Sequence, residues 1–358
     1  MKRKKRKLKK KVKIILILIS LILLLYGCYL LGIGKVNNDN TEIVFEVTEG
    51  SSYNSLAKQL KKQKLIKSEL CYKLYLKLHK QDSLKAGKHK LRKNMNVTEI
   101  IKELEGKTVQ DSSMITFKEG INFETLISLI TSNTNITKDD ILDKISDTAY
   151  LDKLIQKYWF LTDDIKNKSI YYSLEGYLFP DTYQFHKDGT IDNILEAMLD
   201  NMSKKLEPYR NLIQKSKYSI HEIMTMASIV ELEASNSDDR AGVAGVFYNR
   251  LESGWSLGSD VTTYYGLKLA LSERDLYQNE LEEYNDYNTR SSKMAGKLPV
   301  SPICMPGLES IVAAIEPEQH SYYYFVADKN GKTYFNKTAS GHSKTISKLK
   351  SEGLWYEY

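Results

Sequence analysis

The spacing of hydrophobic and polar positions changes along the chain, and each change marks an element. A Lys- and Arg-rich run fills residues 1–13 and gives way to Ile14–Ile33, twenty residues without a charge. At 1.5 Å rise per residue that stretch forms a helix about 30 Å long, the thickness of a bilayer core. Residues 34–42 are polar and read as a linker. A strand, a turn with Gly or Asn, and an amphipathic helix then follow three times, in Ile43–Leu65, Lys85–Leu104 and Ile115–Ile130. The repeat predicts small α+β units rather than a long solenoid.

Further on, Thr137–Tyr158 reads as helix, opening on a cap and an acidic first turn. Ser173–Phe185 (SLEGYLFPDTYQF) is dense in aromatics around a Pro-Asp turn, a composition that suits a core or a sugar-binding groove. Ile191–Leu206 is amphipathic and leads into Ser219–Ala234 (SIHEIMTMASIVELEA), the stretch that organises the rest. Ser219 and Glu222 have capping-box spacing, and Ile220, Ile223, Ala227, Val230 and Ala234 recur on one buried face. A polar loop at Ser235–Asp239 precedes Arg240–Glu252, a small-residue helix able to pack closely on the central one. Ser256–Tyr265 has strand character, while Tyr284–Thr289 and Leu298–Gly307 read as loops. Tyr322–Ala327 and Thr333–Phe335 flank Asn330-Gly331, a hairpin signal, and a helix around Lys344–Lys350 closes the chain.

Charge sharpens this reading. Ten of the 52 Lys and Arg lie in residues 1–13, which hold no acid, so the remainder carries 42 basic against 45 acidic residues. Basicity confined to a tail does not make a nucleic-acid surface. It does orient the apolar helix: the positive-inside rule keeps residues 1–13 in the cytoplasm and sends residues 35–358 across the membrane. Leu25-Tyr26-Gly27-Cys28 has the outline of a lipidation box, but Tyr26 is bulky where a small residue is usual, and the span alone accounts for the segment. Cys71 and Cys304 are too few and too distant for a disulfide scaffold or a metal cluster.

The six histidines are scattered, with no H-E-x-x-H, and there is no phosphate-cradling Walker sequence. Gly254-Trp255-Ser256-Leu257-Gly258 fits the G-x-S-x-G outline of a nucleophile elbow. Such an elbow needs a strand before it and a helix after it, and here the predicted order is the reverse. Carboxylate chemistry remains, with Glu175, Asp181, Glu231, Glu233 and Asp260 as candidates and no metal or cofactor required. A carboxyl packed against Met, Ile and Val loses hydration and holds its proton toward neutral pH, which suits a general acid. Glu231 and Glu233 occupy opposite shoulders of the central helix, and the pattern does not choose between them; two solvated glutamates at the end of a core helix would look the same.

The blocks EGYLFPDTY (Glu175–Tyr183), MASIVELEA (Met226–Ala234), VFYNRL (Val246–Leu251), SDVTTYYG (Ser259–Gly266), YNT (Tyr287–Thr289), LPVSPICMPG (Leu298–Gly307) and YFVAD (Tyr324–Asp328) resemble those of the YceG-like endolytic murein transglycosylases (MltG type). The resemblance covers nearly all of the chain beyond the linker, and the order of the blocks makes it specific. It implies that Glu233, the second glutamate of its block, is catalytic. Glu175, Tyr177, Asp181, Glu231, Asn249, Arg250, Asp260, Tyr264, Tyr287 and Asn288 are the expected sugar-holding residues. For Asn249, Arg250 and Asp260 a buried structural network is the competing expectation. The sequence departs from the family at Val261, where Pro is common, at Arg290, where an aromatic follows YNT, and at Val300-Ser301, which replace a Pro-Gly pair.

The expected protein is α+β: a cytoplasmic tail (1–13), a transmembrane helix (14–33), a linker (34–42), a LysM-like module (43–114) and a YceG-like catalytic domain (115–358). The expected reaction is internal cleavage of peptidoglycan glycan at MurNAc–GlcNAc bonds, giving 1,6-anhydro ends. Anchoring implies action on nascent glycan near the membrane, where peptidoglycan synthases are the expected neighbours. A muramidase and a catalytically silent wall-binding scaffold are the rival readings.

Overall fold

Antiparallel strand pairs, each of only two strands, punctuate a chain that is otherwise mostly helical. The computed structural model describes residues 2–106, 112–187 and 189–355. Two compact units, Met1–Asp111 and Ser112–Tyr358, divide it.

The first unit opens with α1 (Lys2–Ile33), whose Lys10–Ile33 stretch is long and apolar enough to cross a membrane. Then come β1 (Glu42–Val47), α2 (Tyr53–Lys62), α3 (Glu69–Leu78), β2 (Gly87–Arg92) and α4 (Val97–Glu105). The first two predicted strand–turn–helix copies are β1–α2 and β2–α4, with Glu42 opposite Arg92 and Val47 opposite Gly87. Ser52 and Asn96 close capping boxes on α2 and α4. Phe45, Leu56, Leu60, Tyr72, Leu91 and Ile100 fill a small core of their own.

The second unit contains β3 (Ser112–Thr116), α5 (Phe123–Asn133), α6 (Lys138–Ser146), α7 (Thr148–Lys157), β4 (Thr182–His186), α8 (Ile191–Leu206) and α9 (Arg210–Lys215). It continues through α10 (Ile220–Glu233), α11 (Arg240–Glu252), α12 (Asp260–Gly266), α13 (Gln278–Glu282), α14 (Leu308–Ile315), β5 (Tyr324–Ala327), β6 (Thr333–Asn336) and α15 (Ala339–Ser351). The third predicted copy is β3–α5, but β3 starts at Ser112, ahead of the expected boundary after residue 114, because its pairing with β4 begins there. Residues 107–111 of the expected module lie outside the described residues. The helix expected over Thr137–Tyr158 is broken at Asp147, whose side chain caps α7.

Ser219 caps α10 as its spacing predicts: Ser219 Oγ accepts from Glu222 N at 3.2 Å and Glu222 Oε2 accepts from Ser219 N at 2.7 Å. Burial goes beyond one face, since Ile223 through Val230 are buried without a break. An all-round buried helix is a core helix. α11 and α14 pack on it, and small residues on α11 also serve a second contact. A Cβ on Gly245 would run into the Glu318 carbonyl and lie 2.8 Å from His320 Nε2, so glycine is what lets this segment approach. The Asn330-Gly331 hairpin joins β5 to β6, with Gly331 at φ +83°.

The expected strand around Asp260 is instead helix α12. The β-branched and aromatic residues of DVTTYYG favour strand in isolation, but Thr262, Thr263 and Tyr265 are buried on helical spacing, and tertiary context overrides propensity. A helix therefore follows Gly254–Gly258, contrary to expectation. The nucleophile elbow still fails, because α11 and not a strand precedes it.

Candidate active site

The last turn of α10 delivers two glutamates to different surroundings. Glu233 lies on the floor of a cleft of about 410 Å³, lined also by Arg250, Asp260, Arg290, Tyr324 and His342. Five elements (α10, α11, α12, β5 and α15) and two loops build it, so no single stretch of sequence contains it. Ser259 Oγ donates to Glu233 Oε1 at 2.6 Å. Among the described residues, Oε2 receives no such bond. Lost hydration pushes the Glu233 pKa up, and the Asp260 charge adds to this; the Ser259 hydrogen bond, Arg290 and Arg250 oppose it. The result is a carboxyl that keeps its proton above the ordinary range, with one oxygen anchored and the other open.

Glu231, two residues earlier, does not share the cleft. Its side chain is 7 % exposed, and Oε2 accepts from Gly307 N at 3.0 Å and Ser310 Oγ at 2.7 Å. Oε1 pairs with Arg240 Nη2 at 3.3 Å. Glu231 thus places an anion at the N-terminus of α14, where the exposed N–H groups and the helix dipole favour it. The expectation that it holds sugar is corrected: its oxygens are taken by the fold.

Asp260 and Arg250 line the cleft. Asp260 is half exposed and accepts from Arg290 Nε at 2.6 Å. Arg250 Nε donates to the Tyr323 carbonyl at 2.7 Å and Nη1 to that of Leu257. Asn249 Nδ2 donates to the His320 and Tyr322 carbonyls at 3.0 and 2.9 Å. The buried-network expectation therefore fits Asn249, fits Arg250 in part, and does not fit exposed Asp260.

The remaining expected contacts sit elsewhere. Tyr177 is 1 % exposed, with its hydroxyl 2.7 Å from His221 Nδ1. His221 Nε2 lies 2.8 Å from the Val300 carbonyl, which can only accept, so Nε2 donates to it. Tyr287 is equally buried; its hydroxyl accepts from Tyr171 N at 3.1 Å and meets Ser301 Oγ at 3.0 Å. Asn288 Oδ1 accepts from Thr263 Oγ1 at 2.7 Å and Arg290 N at 3.0 Å, while Nδ2 donates to backbone carbonyls of α13 and Glu283. Tyr264 donates to the Arg274 carbonyl at 2.8 Å, and Asp181 accepts from Asn201 Nδ2 at 3.1 Å near β4. These five side chains stand outside the cleft lining. The YNT block instead fixes the loop that carries Ser259: Thr289 Oγ1 accepts from Ser259 N at 3.1 Å, and the Thr289 carbonyl accepts from Gly258 N at 3.0 Å.

Glu175 is 1 % exposed and belongs to neither group. Oε2 accepts from Phe123 N at 2.9 Å and Tyr265 Oη at 3.0 Å, tying α5 to α12, whereas buried Oε1 has no hydrogen-bond partner among the described residues. Burial lifts its pKa from 4.5 to about 8. Between those values the folded chain keeps a proton that the unfolded chain releases, so stability falls as pH rises from 4.5 to about 8. Glu175→Gln is expected to remove this slope, of the order of a few kcal/mol in total, in denaturant melts taken across that range. An unchanged pH profile would show that Glu175 ionises normally in the folded chain.

Sequence reasoning did not single out Ser259 or His342. Ser259 lies inside a recognised block, next to Asp260, and that adjacency was the available signal. His342 carries none: it reaches the cleft from α15 and stacks on Tyr324 with ring centroids 5.5 Å apart. Burial and nearby Arg250 lower its pKa, which favours the neutral imidazole.

Comparison with known proteins places the chain in a family. The YceG-like family profile matches residues 45–348. The endolytic murein transglycosylase of Bacillus subtilis (strain 168) is 34 % identical over 332 residues, 91 % of each chain. That of Streptococcus pneumoniae serotype 2 is 30 % identical over 87 % of this chain and 59 % of its own length. The crystal structure of a yceG-like protein from Listeria monocytogenes, 34 % identical, superposes with a TM-score of 0.60 over 86 % of this chain and all of its own. The profile match, which spans both units, and the identity to the Bacillus relative lead to one conclusion: the chain belongs to the YceG-like family.

Proposed function

We propose that this chain is a membrane-anchored endolytic lytic transglycosylase of peptidoglycan, with Glu233 as its acid and then its base. The observation that carries the reading is the state of Glu233: one oxygen fixed by Ser259, the other without a hydrogen-bond partner among the described residues, and a pKa raised by burial in an open cleft. In the first step Glu233 gives its proton to the oxygen leaving the MurNAc–GlcNAc bond. As a carboxylate it then takes the proton of the MurNAc 6-hydroxyl, which attacks its own anomeric carbon and closes a 1,6-anhydro ring. Intramolecular attack has a high effective molarity and needs no second carboxylate to activate water. The names of the Bacillus and Streptococcus relatives support the substrate class.

Anchoring by the apolar helix, with the tail in the cytoplasm and the catalytic unit outside, belongs to the same proposal, as does encounter with peptidoglycan synthases at the membrane. The β1–α2–α3–β2 order of the first unit supports a LysM-like, wall-binding role for it.

Mass spectrometry of products from purified glycan strands tests the reaction. Anhydro-MurNAc ends are expected; free reducing ends would mean hydrolysis. A muramidase reading has one observation in its favour, the second carboxylate Asp260 in the same cleft, although Arg290 engages it. Asp260→Asn separates the two. If Asp260 acts only through its charge on Glu233, its loss lowers the Glu233 pKa and moves the basic limb of kcat/KM to lower pH, with the anhydro product unchanged. Ser259→Ala is expected to move that limb the opposite way, because the lost hydrogen bond was holding the pKa down.

A further inference from the structure

Three leucines of α3 are exposed where a soluble module would bury or replace them. Leu70, Leu74 and Leu78 are 81, 44 and 63 % exposed. Four-residue spacing aligns them in one stripe along the helix. The opposite side, through Tyr72 and Tyr75, is already committed to the core of the first unit. The stripe is therefore spare apolar surface, and it ends at a defined depth. The last turn of α1 packs beside it: a Cβ on Gly32 would collide with the Cys71 side chain, and Ile33 packs on the same core as Tyr72. Gly32 and Ile33 are the final residues of the apolar span. A helix that touches that turn sits at headgroup level whenever the span is in a bilayer.

Charge agrees with this depth. Exposed Lys67, Lys73, Lys77 and Lys80 lie in and around α3, and within that helix Glu69 is the sole acid. Lys73 and Lys77 occupy the shoulder of the leucine stripe away from Cys71, placed to let their stems lie on apolar surface while the ammonium groups reach outward. Leucine stripe, basic shoulder and membrane-proximal position together describe an interfacial amphipathic helix.

We propose that α3 lies in the membrane–water interface, with Leu70, Leu74 and Leu78 among the acyl chains and its lysines on anionic lipid headgroups. This rests on the anchoring read under Proposed function. Docking by α3 turns a tether free to swivel into a two-point attachment, and it fixes which face of the β1–β2 pair looks away from the bilayer.

The test uses the full chain with Cys28→Ser and Cys71→Ala, reconstituted in vesicles of phosphatidylcholine and phosphatidylglycerol. A nitroxide at Leu74→Cys is compared with one at Leu24→Cys, near the middle of the uncharged Ile14–Ile33 span, and one at Lys58→Cys, exposed on α2. Collision with oxygen, which favours lipid, is measured against collision with a nickel chelate confined to water. The oxygen-to-nickel ratio at position 74 is expected to lie severalfold above that at 58 and toward that at 24. It should fall when phosphatidylglycerol is omitted or when Lys73→Glu and Lys77→Glu are added. A ratio at 74 equal to that at 58, with 24 in lipid, overturns the docking and leaves the anchor standing. Nickel exclusion at 74 accompanied by spin–spin broadening would show a second copy on the stripe and also overturns it. A water-exposed Leu24 label overturns the anchor and the docking together.

Discussion

Glu233→Gln is expected to leave a folded protein with almost no glycan cleavage. A positioned acid or base contributes about 10²–10⁴-fold to a rate. In the proposed mechanism the same carboxyl serves both proton transfers, so a drop of at least about 10³-fold in kcat/KM is the outcome to look for. The amide keeps the shape of the side chain and can still accept the Ser259 hydroxyl through its oxygen. It cannot release a proton at the leaving oxygen or take one from the 6-hydroxyl. Binding should persist, so an inactive variant that still retains glycan strands with unchanged thermal stability is the full expected result. Wild-type rates in Glu233→Gln, alongside an inactive but folded Glu231→Gln, would reverse the assignment of the two glutamates.

Glu231→Ala should fail in the opposite way, by unfolding rather than by chemistry. The substitution leaves Gly307 N, Ser310 Oγ and Arg240 Nη2 without the acceptor they share. Arg240 keeps its contact with Glu309, but that partner is largely solvent-exposed. Breaking a buried ion pair from one side costs about 3–5 kcal/mol, and the surviving Glu309 contact argues for the lower end. Urea melts should show a lower midpoint with an unchanged slope. Glu231→Gln, which retains an acceptor for Gly307 N, is expected to lose about 1 kcal/mol. The two positions are two residues apart on one helix, yet they answer to different assays.

Local chemistry made much of this fold legible. The Ser219 box, the bounds of α8 and the Asn330-Gly331 hairpin are set within a few residues of themselves, and the structure has them where the spacing puts them. What escaped was decided at long range. β4 exists because Thr182–His186 meets Ser112–Thr116, some 70 positions back. α12 forms from strand-prone residues because burial of Thr262, Thr263 and Tyr265 outweighs their intrinsic preference. The same distinction governs the site. Periodicity put Glu231 and Glu233 on two shoulders of one helix, but Ser310, 79 positions away, claims the first, and the loop at Ser259 meets the second. The aromatic block Ser173–Phe185 fitted core and groove equally well, and Tyr177 went to the core because His221 offered its hydroxyl a buried partner.

Asn288 holds Arg290 by the backbone nitrogen and not by the side chain. The turn that seats Ser259 against Glu233 is therefore indifferent to what residue 290 carries, and in this chain it carries a guanidinium that pairs with Asp260. Position 290 behaves as an interchangeable fitting on a fixed mount. A change at 290 would leave that mount in place and act instead on the charges around the Glu233 carboxyl, whose pKa Arg290 now helps to hold down.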